Sequence, residues 1–156
     1  MTGLNHIGVL GGGAWGTALA YTAQQAGRQV SVWALEAEVS QALSEGRGNP
    51  VYLPGVALPA MTASSDLSVL ADCDAILSVV PAQHSRATFQ KLKGHMKPGI
   101  PILLCSKGIE QSTLSLMSDV VSETLPRAIP AVLSGPSFAA DVARGLPTAV
   151  TLACED

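Results

Sequence analysis

Six short apolar runs recur along the chain, at residues 6–10, 29–33, 75–80, 100–105, 131–134 and 148–152. Each is continuous rather than alternating, the pattern of strands buried on both faces of a parallel sheet. Between them lie stretches of helical character at 14–26, 36–45, 83–95, 112–125 and 138–144. In the fourth, Leu114, Met117, Val120, Val121 and Leu125 recur at three-to-four spacing and predict one apolar face. The alternation predicts a doubly wound, mainly parallel α/β sheet in a single domain spanning 1–156. Residues 46–64 break the pattern. Asn49, Pro50, Pro54, Gly55 and Pro59 forbid a long helix or central strand, leaving an ordered loop with room for a short edge strand. Ser65 and Asp66 then offer N-cap chemistry for a brief helix ending near Asp72.

Composition removes several classes of function. Hydrophobic residues make up 47% of the chain and charged residues 13%, the reverse of a disordered segment. The net charge of −3, with nine scattered Lys and Arg, leaves no footprint for nucleic acid and no polybasic run for a membrane surface. Residues 4–27 carry no charge and are long enough to span a bilayer. Three consecutive glycines interrupt them and the first Arg follows at Arg28, so they read as strand, turn and helix, without a signal peptide. Cys73, Cys105 and Cys154 show no C-x-x-C spacing and suit free thiols in a reducing cytoplasm. His6, His84 and His95 lack metal-ligand spacing, so no metal is expected.

The sharpest signal is Gly11-Gly12-Gly13-Ala14-Trp15-Gly16, a G-x-G-x-x-G between an apolar strand and a helix. Gly11 permits the tight turn, Gly13 lets backbone approach a pyrophosphate, and Gly16 lets helix and strand pack closely. Phosphates then sit on free N–H groups at the positive end of a helix, which lets an acidic chain hold a polyanion. Glu36, 25 positions beyond Gly11, either reads the adenine-side ribose or stabilises the start of its own helix. No Arg or Lys at 34–38 meets a 2′-phosphate, which favours NAD over NADP. Three further motifs follow strands directly: Pro81-Ala82-Gln83, Ser106-Lys107-Gly108-Ile109-Glu110 and Gly135-Pro136-Ser137-Phe138-Ala139. Carboxyl ends of parallel strands share one edge, so Gly11, Pro81, Lys107 and Ser137 are expected in a common crevice. Lys107 either grips an anionic oxygen there or is a surface lysine at a strand end. His84 either lines that crevice or, the preferred reading, is a surface residue at a helix start. Ser137 lacks the following His of a nucleophile elbow, and Cys105 reads as a core thiol.

These motifs, with Asn49, Tyr52-Leu53-Pro54-Gly55, Val79-Val80-Pro81 and Gly145-Leu146-Pro147-Thr148-Ala149, come in an order that closely resembles the N-terminal domain of NAD(P)-dependent glycerol-3-phosphate dehydrogenases. The resemblance covers essentially the whole chain. It implies a Rossmann-like NAD(P)-binding domain and reversible hydride transfer between sn-glycerol 3-phosphate and dihydroxyacetone phosphate, supplying glycerophospholipid synthesis. It also implies that Gly11, Gly13, Ala14, Trp15 and Gly16 bind the cofactor, that Leu35 lies beside the adenosine, and that Ala139 lies near the cofactor. Lys107 touches cofactor and substrate, and Gly135 and Ser137 help hold the substrate. Ala14 stands where bacterial members often carry Ser. Leu35 stands where many NADP-using members carry Arg or His, which weighs against NADP. The resemblance further implies a helical C-terminal domain carrying a second lysine as general base, so a chain ending at residue 156 is expected to bind cofactor with little turnover. A homodimer is left open. Hydroxy-acid dehydrogenases of the hydroxyisobutyrate or 6-phosphogluconate type are the nearest alternative, and a non-catalytic dinucleotide sensor the next. The first is not expected to share Tyr52-Leu53-Pro54-Gly55 or Ser106-Lys107-Gly108, and the second has no use for Lys107.

Overall fold

A computed structural model describes residues 3–155. Seven strands form one sheet: β1 (His6–Leu10), β2 (Gln29–Trp33), β3 (Thr62–Ser64), β4 (Ala75–Ser78), β5 (Pro101–Leu104), β6 (Ile129–Ser134) and β7 (Thr151–Cys154). Their spatial order is β3-β2-β1-β4-β5-β6-β7. The first six are parallel, and β7 runs antiparallel to β6. The order reverses between β1 and β4, so the crevice outside their carboxyl ends is the natural ligand position in such a sheet.

Five helices cover the two faces: α1 (Ala14–Gln25), α2 (Ala37–Ser44), α3 (Ala82–Leu92), α4 (Met117–Thr124) and α5 (Ala139–Ala143). Successive strand residues point to opposite faces, and at the central strands β1 and β4 both faces are covered, whereas Val132 of β6 and all of β7 stay exposed. Val9 and Leu77 pack toward the layer of α1, α2 and α5, with Val32, Val39 and Leu43. Leu10, Ile76 and Ile102 pack toward α3 and α4, with Phe89, Leu92 and Val120. That double burial is why β1 and β4 read as unbroken apolar runs.

The loop at 46–64 does yield an edge strand, β3, paired only with β2. Asp66 then caps a 3₁₀ turn at Leu67–Leu70, its carboxylate accepting the Ser68 N–H at 2.8 Å. Two expectations need correction. The helix expected at 112–125 starts only at Met117, because Thr113 bonds Glu110 and residues 109–116 close as a turn with Leu114 at φ 60°. Local side-chain bonding of this kind competes with helix initiation. Leu114 is consequently 74% exposed and leaves the apolar face, whereas Met117, Val120, Val121 and Leu125 stay buried. The last strand, expected at 148–152 as a buried parallel one, is instead an exposed antiparallel edge at Thr151–Cys154. The intervening segment forms only the short helix α5, which packs against α1, and the chain then returns beside β6 in the opposite direction. Among the described residues no helix is long and apolar enough to cross a membrane.

Candidate functional site

The turn after β1 is built by close approach. The Gly11 N–H donates to the Trp33 carbonyl at 2.9 Å, tying the turn to the end of β2. Gly11 takes φ 125°, and a Cβ there would meet the backbone of Val79 at 3.1 Å. A Cβ on Gly16 would overlap the Gly11 carbonyl oxygen, and one on Gly12 would lie 2.5 Å from Ala34 Cβ. A Cβ on Gly13 would meet nothing within 4 Å, so this glycine faces open space. Gly13 is also the N-cap of α1, which has no side-chain cap and no acidic residue in its first turn. The N-terminal N–H groups of a 12-residue helix are thus left for an external anion.

Two clefts flank this helix end. The first, about 470 Å³, is lined by Gly11, Gly12 and Gly13 on one side and Leu35, Glu36 and Tyr52 on the other. Pro81 and His84 also line it, His84 from an exposed position in the first turn of α3. The second, about 260 Å³, is lined by Ala14 and Trp15 with Lys107, Gly135, Ser137 and Ala139. The expected common crevice is therefore divided: Gly11 and Pro81 lie on one side of the α1 N-terminus, Lys107 and Ser137 on the other. Gly16 lines neither cleft. It is buried and acts through packing.

Each cleft has its own electrostatics. Leu35 is 73% exposed at the rim of the first. Beside it, the Glu36 carboxylate accepts the Tyr52 hydroxyl at 2.7 Å, and that negative neighbour pushes the phenol above its ordinary value. Glu36 stands at the N-cap of α2 yet makes no side-chain cap bond, so its carboxylate serves the rim. In the second cleft Lys107 is the one formally charged residue among the described lining residues, and no carboxylate there pairs with it. Cys105 shares the cleft, but burial pushes its thiol up to about 12, which removes it as a nucleophile at neutral pH. The loop carrying Lys107 is clamped by α3. Gln83 donates to the Ile109 carbonyl at 2.8 Å and accepts the Gln111 N–H at 2.9 Å. Arg86 grips the buried Glu110 carboxylate through Nε and Nη2, and Glu123 through Nη1 at 2.7 Å.

Several residues of this site carry no local sign in the sequence. Lys91 lines the first cleft because His84, Thr88 and Lys91 fall on one face of α3, a spacing of four and three. It lies far along the chain from residues 34–38, the stretch where a cation facing a 2′-phosphate is expected. Tyr52 sits in the irregular loop, where no periodicity marks it and only the family resemblance singled it out.

The family model for the N-terminus of NAD-dependent glycerol-3-phosphate dehydrogenase matches residues 6–156. The chain belongs to that family. A glycerol-3-phosphate dehydrogenase [NAD(P)+] from Maricaulis maris is 56% identical over 157 residues, covering 100% of this chain and 47% of the relative. One from Caulobacter vibrioides is 57% identical over 151 residues, covering 96% and 46%. The crystal structure of glycerol-3-phosphate dehydrogenase from Coxiella burnetii superposes with a TM-score of 0.89 at 34% identity, over 97% of this chain and 47% of that one. A 3-hydroxyisobutyrate dehydrogenase from Mycobacterium tuberculosis superposes at 0.70 with 12% identity over 96% and 45%, and shares the fold alone. The chain spans about half the length of the curated relatives it matches. Glycerol-3-phosphate dehydrogenase family membership thus fits the linked motifs, and with them the mainly parallel Rossmann-like sheet.

Proposed function

We propose that the chain binds NAD(P)(H) across the two clefts, in the service of hydride transfer between sn-glycerol 3-phosphate and dihydroxyacetone phosphate in the cytoplasm. The observation that carries this reading is the uncapped α1 N-terminus standing between a rim suited to a nucleoside and a cleft holding one unpaired cation. The pyrophosphate would take the N–H groups at Gly13, with Ala14 and Trp15 beside it. Adenosine would lie against Leu35 in the first cleft, whose carboxylate at Glu36 is suited to a ribose hydroxyl and repels a 2′-phosphate. We therefore favour NAD over NADP, with Lys91 on the opposite wall as the one opposing charge in that cleft among the described residues.

The bound dinucleotide supplies the hydride acceptor or donor. The second cleft supplies Lys107, whose ammonium is placed to hold an anionic substrate or to polarise the carbonyl oxygen that gains charge as hydride arrives. Gly135 and Ser137 line the same wall and would meet the substrate, and Ala139 the cofactor. Among the described lining residues no carboxylate or imidazole stands ready to take the proton from the C2 hydroxyl. The chain by itself is accordingly expected to bind cofactor and to turn over slowly.

Calorimetric titration with NADH and NADPH in parallel, at fixed salt, tests the reading. Saturable NADH binding, weaker for NADPH, supports it. Tighter NADPH binding rejects the cofactor preference, and a folded sample that binds neither rejects the dinucleotide site. Rapid reduction of dihydroxyacetone phosphate by this chain would overturn the expectation of slow turnover.

A further inference from the structure

We propose that Asn49 is a positioning residue that holds the phosphate-binding turn in its working orientation. It lies in the irregular loop, 37 residues from Gly12, and is 1% exposed. Its Nδ2 donates to the Gly12 carbonyl at 2.8 Å and to Thr17 Oγ1 at 2.8 Å, using both amide hydrogens. Its Oδ1 accepts the Tyr52 N–H at 3.0 Å. The carboxamide orientation is therefore determined: reversed, it would set oxygen against the Gly12 carbonyl oxygen.

The consequence follows from the planarity of the peptide group. In a trans peptide the C=O of Gly12 and the N–H of Gly13 point in opposite directions. Asn49 draws the Gly12 carbonyl toward the buried side, so the Gly13 N–H is turned outward, where that residue has open space. The Thr17 hydroxyl is a weaker second hold, 3.4 Å from the same carbonyl. With glycine on both sides of this peptide bond the backbone has no side chain of its own to limit rotation. A remote buried donor supplies the missing constraint. Asn49 is itself placed by its own turn, the Leu53 N–H donating to its carbonyl at 3.0 Å. Tyr52 of that turn reaches Glu36 on the far rim, so one short loop braces the phosphate turn and carries part of the nucleoside rim.

This inference rests on the dinucleotide reading and adds a residue to it. The test compares ADP, which carries the pyrophosphate, with adenosine, which does not, by competition against NADH. The variants are Asn49→Asp and Asn49→Ser. Asp keeps the acceptor for Tyr52 but loses both donors; Ser loses them without adding charge. Both variants are expected to lower the preference for ADP over adenosine by about tenfold or more, with adenosine affinity little changed. Because both ligands bind the folded chain, a partly unfolded variant does not alter that ratio. If ADP and adenosine weaken together, or neither changes, Asn49 is a packing residue and the proposal fails. If the wild-type chain binds neither NADH nor ADP, the dinucleotide reading falls first and takes this inference with it.

Discussion

Replacing Gly16 by alanine sets two calculable effects against each other. Within a helix alanine is favoured over glycine by up to about 1 kcal/mol. Against this, the added Cβ overlaps the Gly11 carbonyl oxygen and lies 3.4 Å from Val9 Cγ1. That carbonyl belongs to the peptide between two held ones, with the Gly11 N–H on the Trp33 carbonyl before it and the Gly12 carbonyl on Asn49 Nδ2 after it, so its rotation is restricted from both sides. Overpacking costs about 1–3 kcal/mol, and a rigid partner puts this case near the upper end. The net is a loss of about 2 kcal/mol, which for a chain of this size lowers Tm by roughly 4–8 °C. Relief requires α1 and the turn to separate, which moves the N–H groups that face the phosphates, so NADH affinity should fall by on the order of tenfold to a hundredfold. Thermal unfolding followed by circular dichroism, with calorimetric NADH titration of the same samples, measures both. Gly13→Ala is the contrast: Gly13 has φ −69° and no neighbour within 4 Å of a Cβ, so the fold should keep within about 1 kcal/mol of its stability while phosphate approach is blocked. A Gly16→Ala chain that melts at or above wild type and binds NADH equally well would refute the packing argument.

Lys107→Ala, placed in a protein of its relatives' full length, should lower kcat/KM by roughly a hundredfold or more and leave the Kd for NADH largely intact, because the glycine turn and the nucleoside rim that hold most of the dinucleotide lie away from Lys107. Leu35→Arg should shift preference toward NADPH by about tenfold, read as the ratio of the two Kd values, since a guanidinium can meet a 2′-phosphate where leucine cannot. Arg86 and Thr113 bond the charged form of Glu110 and hold its carboxyl below the ordinary 4.5. That contribution is complete above 4.5 and is lost as pH falls through the lower folded value, so urea midpoints should drop on acidification below that point. The drop should be shallower in Glu110→Gln, though not abolished, because Asp66 and Asp74 are shifted the same way. Iodoacetamide at pH 8 should label Cys154 alone in the folded chain and all three cysteines in urea; Cys154 is exposed, whereas burial pushes the Cys73 and Cys105 thiols up to about 12.

The first strand, the turn after it and its helix were legible in the sequence. The strand His6–Leu10, the glycine turn and the helix from Ala14 follow from local apolar pattern and from conformations that only glycine tolerates. Continuous apolar runs announced central strands covered on both faces, as β1 and β4 are, because a residue buried on either side leaves no polar alternation to see. The runs of β6 and β7 instead lie on partly and fully exposed strands. Tertiary structure decided the rest. β7 is antiparallel and exposed where the segment after β6 docks its short helix α5 on α1 and returns along the sheet edge, a placement that the local apolar pattern does not record. Helix α4 starts late because Thr113 bonds Glu110, which is itself held by Arg86 on a different helix. The division of the crevice into two clefts, the arrival of Lys91 at one of them, and the reach of Asn49 to Gly12 all join residues far apart in sequence. Such contacts are selected by the packed geometry of the whole sheet, where a buried amide must find its partners wherever the fold brings them.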